Sequence, residues 1–161
     1  QGLILKMGVD VNTTLTCLDN ISKNGWILAE KEEALVRLYV EALRIKTPSI
    51  KQQVSNLSGG NQQKVVLAKW LARETDIIIF DEPTRGIDVG AKAEIYELIH
   101  DLAKQGKSII MISSELPELI GMCNRVIVMH EGKIVGELER GEFSQERLLE
   151  LASGIKEKKH E

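Results

Sequence analysis

Cysteine is scarce: Cys17 and Cys123 are the only two. They form no close pair and no metal-ligand spacing, which suits a reducing, cytosolic setting. Positive charge is not in excess. The formal net charge is −3, which argues against general nucleic-acid binding through a basic face. No apolar run approaches the roughly eighteen residues of a membrane span, and no signal-peptide pattern is visible. The sequence holds no internal repeat and no low-complexity tract. Aromatic residues make up only 4%, and Trp70 and Tyr96 are assigned to core or subdomain packing rather than to base stacking. What is present is ordinary for a soluble protein. The 161 residues, 43% hydrophobic and 28% charged, suffice for one domain with a sizeable core. The chain begins at Gln1 rather than Met and is expected to be a piece of something longer.

Two stretches organise the chain. Leu57-Ser58-Gly59-Gly60-Asn61-Gln62-Gln63-Lys64 opens a helix, and Ile77-Ile78-Ile79-Phe80-Asp81-Glu82-Pro83 is a strand ending in two carboxylates. Ser58 is the expected N-cap, its hydroxyl accepting a bond from a first-turn amide. Gly59 and Gly60 have no Cβ, so a phosphate can approach their N–H groups closely. Val65, Ala68, Leu71 and Ala72 give the helix a core-facing side, and its N-terminal end is a ready anion site. Alone, Ser-Gly-Gly also suits an ordinary glycine-softened helix start. Asp76 to Asp81 reads as a strand buried on both faces, which points to a parallel α/β sheet. Ligands of such sheets sit beyond the carboxyl ends of the strands, where Asp81 and Glu82 lie. One carboxylate there can hold Mg²⁺. The other can orient or deprotonate an attacking water. A polar turn leaving a strand is the alternative. Thr84-Arg85-Gly86-Ile87-Asp88 follows as a polar loop suited to meeting a partner surface or phosphates.

The rest of the chain reads as short elements around these two. Val9-Asp10-Val11-Asn12 and Thr13-Thr14 cap a short helix through Leu15, Leu18 and Ile21. Ser22-Lys23-Asn24-Gly25 is a turn. A helix from about residue 28 to 46 carries Leu35, Leu38, Tyr39, Ala42 and Leu43 at helical spacing and ends at Thr47-Pro48. Another, from about 91 to 104, carries Ile95, Leu98, Ile99, Leu102 and Ala103 and stops at Gln105-Gly106. Ser108 to Ser113 is a second buried strand, so strand, helix and strand form a right-handed βαβ unit. A short helix opens around Ser114 to Glu118, with Pro117 in its first turn. Arg125 to His130 and Lys133 to Glu139 are strands joined by Glu131-Gly132, a hairpin signal. Ser144 caps a last helix through Leu148, Leu149 and Leu151, and Lys156 to Glu161 is a charged tail expected to fray.

LSGGNQQK together with IIIFDEPTRGID resembles the ATP-binding-cassette (ABC) ATPases, the first block their signature motif and the second their Walker B motif and D-loop. The longer wordings GGNQQKVVLAKWLAR and DEPTRGIDVGAK are similar to the second half of the duplicated ATPase subunits of bacterial monosaccharide importers (ribose, galactose, xylose and similar), with nucleoside importers as an alternative. The likeness runs from Gln1 to about Leu151. It implies an α/β fold, part of a P-loop nucleotide-binding domain, with a parallel core sheet and flanking helices. Residues 1–56 would form a helical subdomain facing the membrane permease. Residues 57–161 would hold the signature helix, the Walker B and D-loop core, and a C-terminal β-hairpin and helix. The implied cofactors are ATP and Mg²⁺. By resemblance Ser58, Gly59 and Gly60 contact the γ-phosphate of ATP held by an opposing half, with Gln62 also on the nucleotide side. Asp81 supports Mg²⁺ in this half's own site, Glu82 polarises the attacking water, Asp88 lies at the interface between halves, and Ser114 takes the switch position. Implied partners are an opposing ATPase half or second ATPase subunit, membrane permease subunits and, indirectly, a periplasmic or extracellular sugar-binding protein, with no nucleic acid. The implied location is the cytoplasmic face of the cell membrane, held peripherally.

Two features depart from the family pattern. The phosphate-binding G-x-x-x-x-G-K-[ST] loop is missing. Gly106-Lys107-Ser108 imitates its end, but Asp101 stands where the first Gly belongs and the tripeptide leads into a strand, so it reads as a turn. In the family that loop lies upstream, and the glutamine loop at or before Gln1, so the chain by itself is expected to bind ATP weakly or not at all and to be inactive. Missing upstream strands would expose apolar edges and drive dimerisation or rearrangement. The second departure is Ser114, where the family commonly has a switch His. Serine can donate a hydrogen bond but cannot titrate near neutral pH, and a missing catalytic partner costs about 10²–10⁴ in rate. His100 and His130 are read as structural. Two other readings stay open: a soluble, non-transport ABC protein of repair or translation, and a non-catalytic interaction module that keeps only the signature half.

Overall fold

A computed structural model describes residues 2–154, and the charged tail from Lys156 to Glu161 lies outside the described residues. The elements run α1 (Val9–Thr14), α2 (Leu18–Ile21), β1 (Ser22–Lys23), β2 (Trp26–Ile27), α3 (Ala29–Ala42), a 3-10 turn (Val54–Asn56), α4 (Gly59–Leu71), β3 (Ile77–Asp81), α5 (Val89–Lys104), β4 (Ser108–Ile112), α6 (Leu116–Met122), β5 (Arg125–His130), β6 (Lys133–Glu139) and α7 (Gln145–Ala152). They form two compact units. The first holds the chain through Ile78 together with Thr84–Ile109; the second holds Ile79–Pro83 and the chain from Ile110 onward. The expected division after Asn56 falls inside the first unit.

In the first unit α4 packs on α1, α3 and α5. Val9, Val36, Val54, Val65, Ala68 and Ile95 are fully buried. The segment Val9–Thr14 is itself a helix, not the cap of a later one, and Leu15 and Leu18 are exposed. Three of its four buried polar residues, Asp10, Asn12 and Thr14, are bonded within the unit, and the Thr13 hydroxyl has no partner among the described residues. Asn12 takes the Ile4 N–H at 2.7 Å and donates to the Ile4 and Gly8 carbonyls, and buried Asp10 pairs with Lys51 at 2.5 Å. Asn24 and Gly25, both at positive φ, turn the short β1–β2 hairpin.

Helix α3 differs from expectation in its face and its end. Val36 and Leu43 are buried and the Tyr39 hydroxyl donates to the Leu71 carbonyl at 2.9 Å, whereas Leu38 is 58% exposed and Ala42 faces solvent. The helix stops at Ala42, since Arg44 turns to φ +51°, three residues before Thr47-Pro48. Helix α5 ends as expected. Gly106 sits at φ +89°, its N–H donates to Ala103, and Lys107 N–H donates to Leu102, so Gly106-Lys107-Ser108 is a helix-ending turn.

β3 and β4 are hydrogen-bonded neighbours. Ser108 N–H donates to the Asp76 carbonyl at one end and Glu82 N–H to the Ile112 carbonyl at the other, so the strands run parallel. The expectation that both faces are buried is not met. Ile78 and Phe80 are buried, but Ile77 and Ile79 are each 63% exposed and Ile110 and Ile112 about half exposed. A strand shows only alternate side chains to one layer, and among the described residues the second face has no cover.

The second unit gathers α6 and α7 on the β5–β6 hairpin around Val126, Val128 and Leu148. Glu131 (φ +45°) and Gly132 (φ +76°) form the turn. Ser144 Oγ caps α7 by accepting from Arg147 N–H at 3.1 Å. His130 Nδ1 lies 2.7 Å from the Ala152 carbonyl, a structural contact between the hairpin and the end of α7. Among the described residues no helix is long and apolar enough to cross a membrane.

Candidate functional site

Ser58 stands at the N-cap of α4 with extended backbone, but its hydroxyl caps no amide. That corrects the expected cap. Asn61, at the third position of the helix, turns its side chain back instead. Its Nδ2 donates to Ser58 Oγ at 2.9 Å, and its Oδ1 accepts the Lys46 N–H at 2.7 Å. The first-turn amides of α4 are thus left uncapped by the serine, as an anion site requires. Gly59 is exposed, and a Cβ built on it would meet nothing within 4 Å. Gly60 is buried, and a Cβ there would meet Ala91 Cβ at 2.9 Å. Glycine at 60 therefore lets the starts of α4 and α5 approach each other.

A cleft of about 270 Å³ lies beside this junction, lined by Ser58, Gly60, Asn61 and Lys46 on one side and Asp88, Gly90, Ala91 and Glu94 on the other. Asp88 is the N-cap of α5, accepting from Ala91 N–H at 3.0 Å. Glu94 accepts at 2.6 Å from Lys64 Nζ, which is buried and also donates to the Arg44 carbonyl at 3.2 Å. The Lys64 ammonium holds the Glu94 carboxyl below the usual carboxylate range. Gln62 spends its amide on the Val54 and Leu57 carbonyls, at 3.0 and 3.2 Å, and so holds the loop that enters α4.

The strand end lies in the second unit. Asp81, the last residue of β3, is exposed. Glu82 turns to φ +49°, a left-handed conformation that costs a non-glycine residue energy. Two bonds hold it there: Glu82 N–H donates to the Ile112 carbonyl at 2.9 Å, and Glu82 Oε1 accepts from Ser114 N–H at 3.0 Å. Two residues expected in catalytic roles are therefore in contact, through the Ser114 backbone rather than its hydroxyl. The neighbouring Ser113 hydroxyl donates to buried Glu118 at 2.6 Å and steadies the turn.

No group of three or more His, Cys, Asp or Glu is placed to hold a metal among the described residues. A single exposed carboxylate at Asp81 fits Mg²⁺ shared with phosphate oxygens and water, which needs only one or two protein carboxylates. The uncapped, open glycine turn fits a phosphate. Five expected residues thus belong to the first unit (Ser58, Gly59, Gly60, Gln62 and Asp88) and three to the second (Asp81, Glu82 and Ser114). Asn61, Lys46 and the Lys64–Glu94 pair were not anticipated. The available signal was an amide residue three positions after a Ser cap, a relative of the capping box.

With this fold and these motifs in place, residues 4–85 match the ABC transporter family, and the chain belongs to it. It is 50% identical over 157 residues to the ribose import ATP-binding protein RbsA 3 of Rubrobacter xylanophilus, covering 98% of this chain and 31% of that protein. To the ribose import ATP-binding protein RbsA of Clostridium perfringens it is 53% identical over 156 residues, covering 96% and 31%. The chain thus spans about a third of the length of the curated relatives it matches. Among solved structures, an ATP-binding cassette captured as a dimer after hydrolysis, with ADP and Pi, superposes with a TM-score of 0.73 at 22% identity, covering 88% of this chain and 60% of that one. Another cassette of an ABC transporter gives 0.76 at 22% identity, covering 91% and 63%. These likenesses show the shared fold.

Proposed function

We propose that this chain is the C-terminal nucleotide-binding half of an ATPase subunit that energises carbohydrate import from the cytoplasmic face of the membrane. What carries the reading is the likeness, along nearly the whole chain, to relatives named ribose import ATP-binding proteins. Ser58, Gly59 and Gly60 present hydrogen-bond donors to the γ-phosphate of ATP bound by an opposing half. In support, the serine leaves the first-turn amides uncapped and Gly59 is open. Asp81 supports Mg²⁺. Glu82 orients and polarises the attacking water, held in its strained turn by the Ile112 carbonyl and the Ser114 amide. Ser114 occupies the switch position, Gln62 secures the approach to the signature turn, and Asp88 lies at the interface between halves. ATP supplies the phosphoryl group, and the chain contributes positioning and charge. Residues 1–56 face the permease. The exposed apolar side chains Leu5, Met7, Val11 and Leu15 support that orientation. A sugar-binding protein outside the membrane acts through the permease.

The test is Glu82→Gln in the full-length subunit with the other half's site silenced. Turnover is expected to fall about 10²–10⁴-fold while ATP binding is kept. Unchanged turnover removes Glu82 as the residue that activates water. The chain alone is expected to give no measurable hydrolysis.

A further inference from the structure

We infer that Asn61 is a positioning residue that makes Ser58 a hydrogen-bond donor toward an anion, a role that rests on the reading of Ser58 as a nucleotide contact. Lys46 N–H can only donate, so the oxygen of the Asn61 amide must face it, at 2.7 Å. The amide nitrogen then faces Ser58 Oγ, at 2.9 Å, and has only protons to offer. Ser58 Oγ is therefore an acceptor in this bond. Its own proton remains, and among the described residues no acceptor takes it.

An ordinary capping serine turns inward and accepts from an amide of the first turn. Here Asn61 replaces those amides as the donor to Ser58. The turn keeps its amide protons and the Ser58 proton at the wall of the cleft. A phosphate oxygen, which only accepts, is the matching ligand. Two carboxylates share the cleft. Asp88 Oδ1 accepts from Ala91 N–H in capping α5, and Glu94 is paired with Lys64 at 2.6 Å and lies 4.0 Å from Lys46 Nζ. The far end of the tether is fixed. Ile45 is buried and its N–H donates to the Val40 carbonyl at 2.8 Å, while the Arg44 carbonyl accepts from buried Lys64. Asn61 thus hangs from a clamp formed by the exit of α3, α4 and α5.

The test is a double-mutant cycle in the full-length ATPase, with kcat/KM for ATP and Tm measured for each protein. Ser58→Ala is expected to cost on the order of 10²-fold, as for a lost donor to reacting charge. Asn61→Ala is expected to cost about three- to tenfold, one neutral hydrogen bond, and nothing further in the Ser58→Ala background. An equal Asn61→Ala penalty in both backgrounds is a merely structural effect and overturns the inference. So does an Asn61→Ala protein of wild-type activity while Ser58→Ala is impaired. A fully active Ser58→Ala protein overturns the nucleotide-contact reading itself. Should Asn61→Ala fail to fold, Asn61→Asp keeps the bond from Lys46 N–H and captures the Ser58 proton. It is expected to lose activity at unchanged Tm when Ser58 is present and to lose none when Ser58 is Ala; equal loss in both overturns the inference.

Discussion

Two residues carry charge or strain that a random surface would not keep. Lys64 is buried with its ammonium bonded to Glu94 and the Arg44 carbonyl. Removing the partner leaves an uncompensated buried charge, whereas removing the charge and keeping the stem does not. Because Glu94 is itself half exposed, Glu94→Gln should destabilise the chain by about 2 kcal/mol rather than by a fully buried pair's loss, and Lys64→Met by clearly less, read from urea midpoints at pH 7. The pH dependence has a definite sign. Glu94 titrates lower in the folded chain than in the unfolded one. Its contribution is present above the unfolded carboxyl pKa of about 4.3 and is lost as pH falls through the lower folded value. Glu94→Gln should flatten that part of the acid limb. Glu82 holds strain instead of charge. At φ +49°, Glu82→Gly relieves a conformational cost of about 1 kcal/mol, so it should hold or raise Tm while abolishing turnover of the full-length enzyme. A fall in Tm would mean that the Ser114 contact outweighs the strain.

At the scale of elements, Asp88 has two candidate duties that separate by substitution. As the N-cap of α5 it accepts from Ala91 N–H at 3.0 Å. Asn caps as well as Asp, and Ala does not. Asp88→Ala should lower stability by about 1 kcal/mol and Asp88→Asn should not, as seen by thermal melts. An interface role that needs the charge predicts that Asn is as inactive as Ala. Elements decided by such local chemistry were legible from the sequence. The β5–β6 hairpin and α7 fall where Glu131-Gly132 and Ser144 place them. α3 was legible as a helix but not in its face, because Leu38 and Val36 are equally apolar and only packing against α1 and α4 decides which face is buried. α1 was hidden because its buried side chains include Asp10, Asn12, Thr13 and Thr14. Bonds to backbone and to Lys51, which no periodicity reveals, satisfy Asp10, Asn12 and Thr14, while the buried Thr13 hydroxyl has no partner among the described residues. In the candidate site, residue types and spacing pointed to Ser58, Gly60 and Glu82, and only the family resemblance pointed to Ser114. The Asn61–Lys46 link did not show, because it depends on where the loop leaving α3 returns.

For the whole molecule the telling feature is apolar surface left open. Ile77 and Ile79 on β3 and Ile110 and Ile112 on β4 all fall on the open face of the pair, because Ser108 meets the Asp76 end and Ile112 the Glu82 end. A parallel strand pair is ordinarily covered on both faces, and a β-branched face in water is a template for association. The opposing force is weak, since a net charge of −3 gives little self-repulsion. The 161-residue chain on its own should therefore sediment at tens of micromolar as species heavier than its 18.0 kDa monomer. Ile79→Thr with Ile110→Thr should shift it toward monomer, because both side chains leave the open face apolar and neither lies in the buried row of Ile78 and Phe80. Ile127 and Met129, exposed on the β5–β6 hairpin, provide the control. Polar substitutions there should leave sedimentation unchanged if the β3–β4 face drives association. A shift with the hairpin pair alone would move the adhesive surface to the second unit's hairpin, and a monomer at every concentration would show that this isoleucine face is too small to hold two chains together.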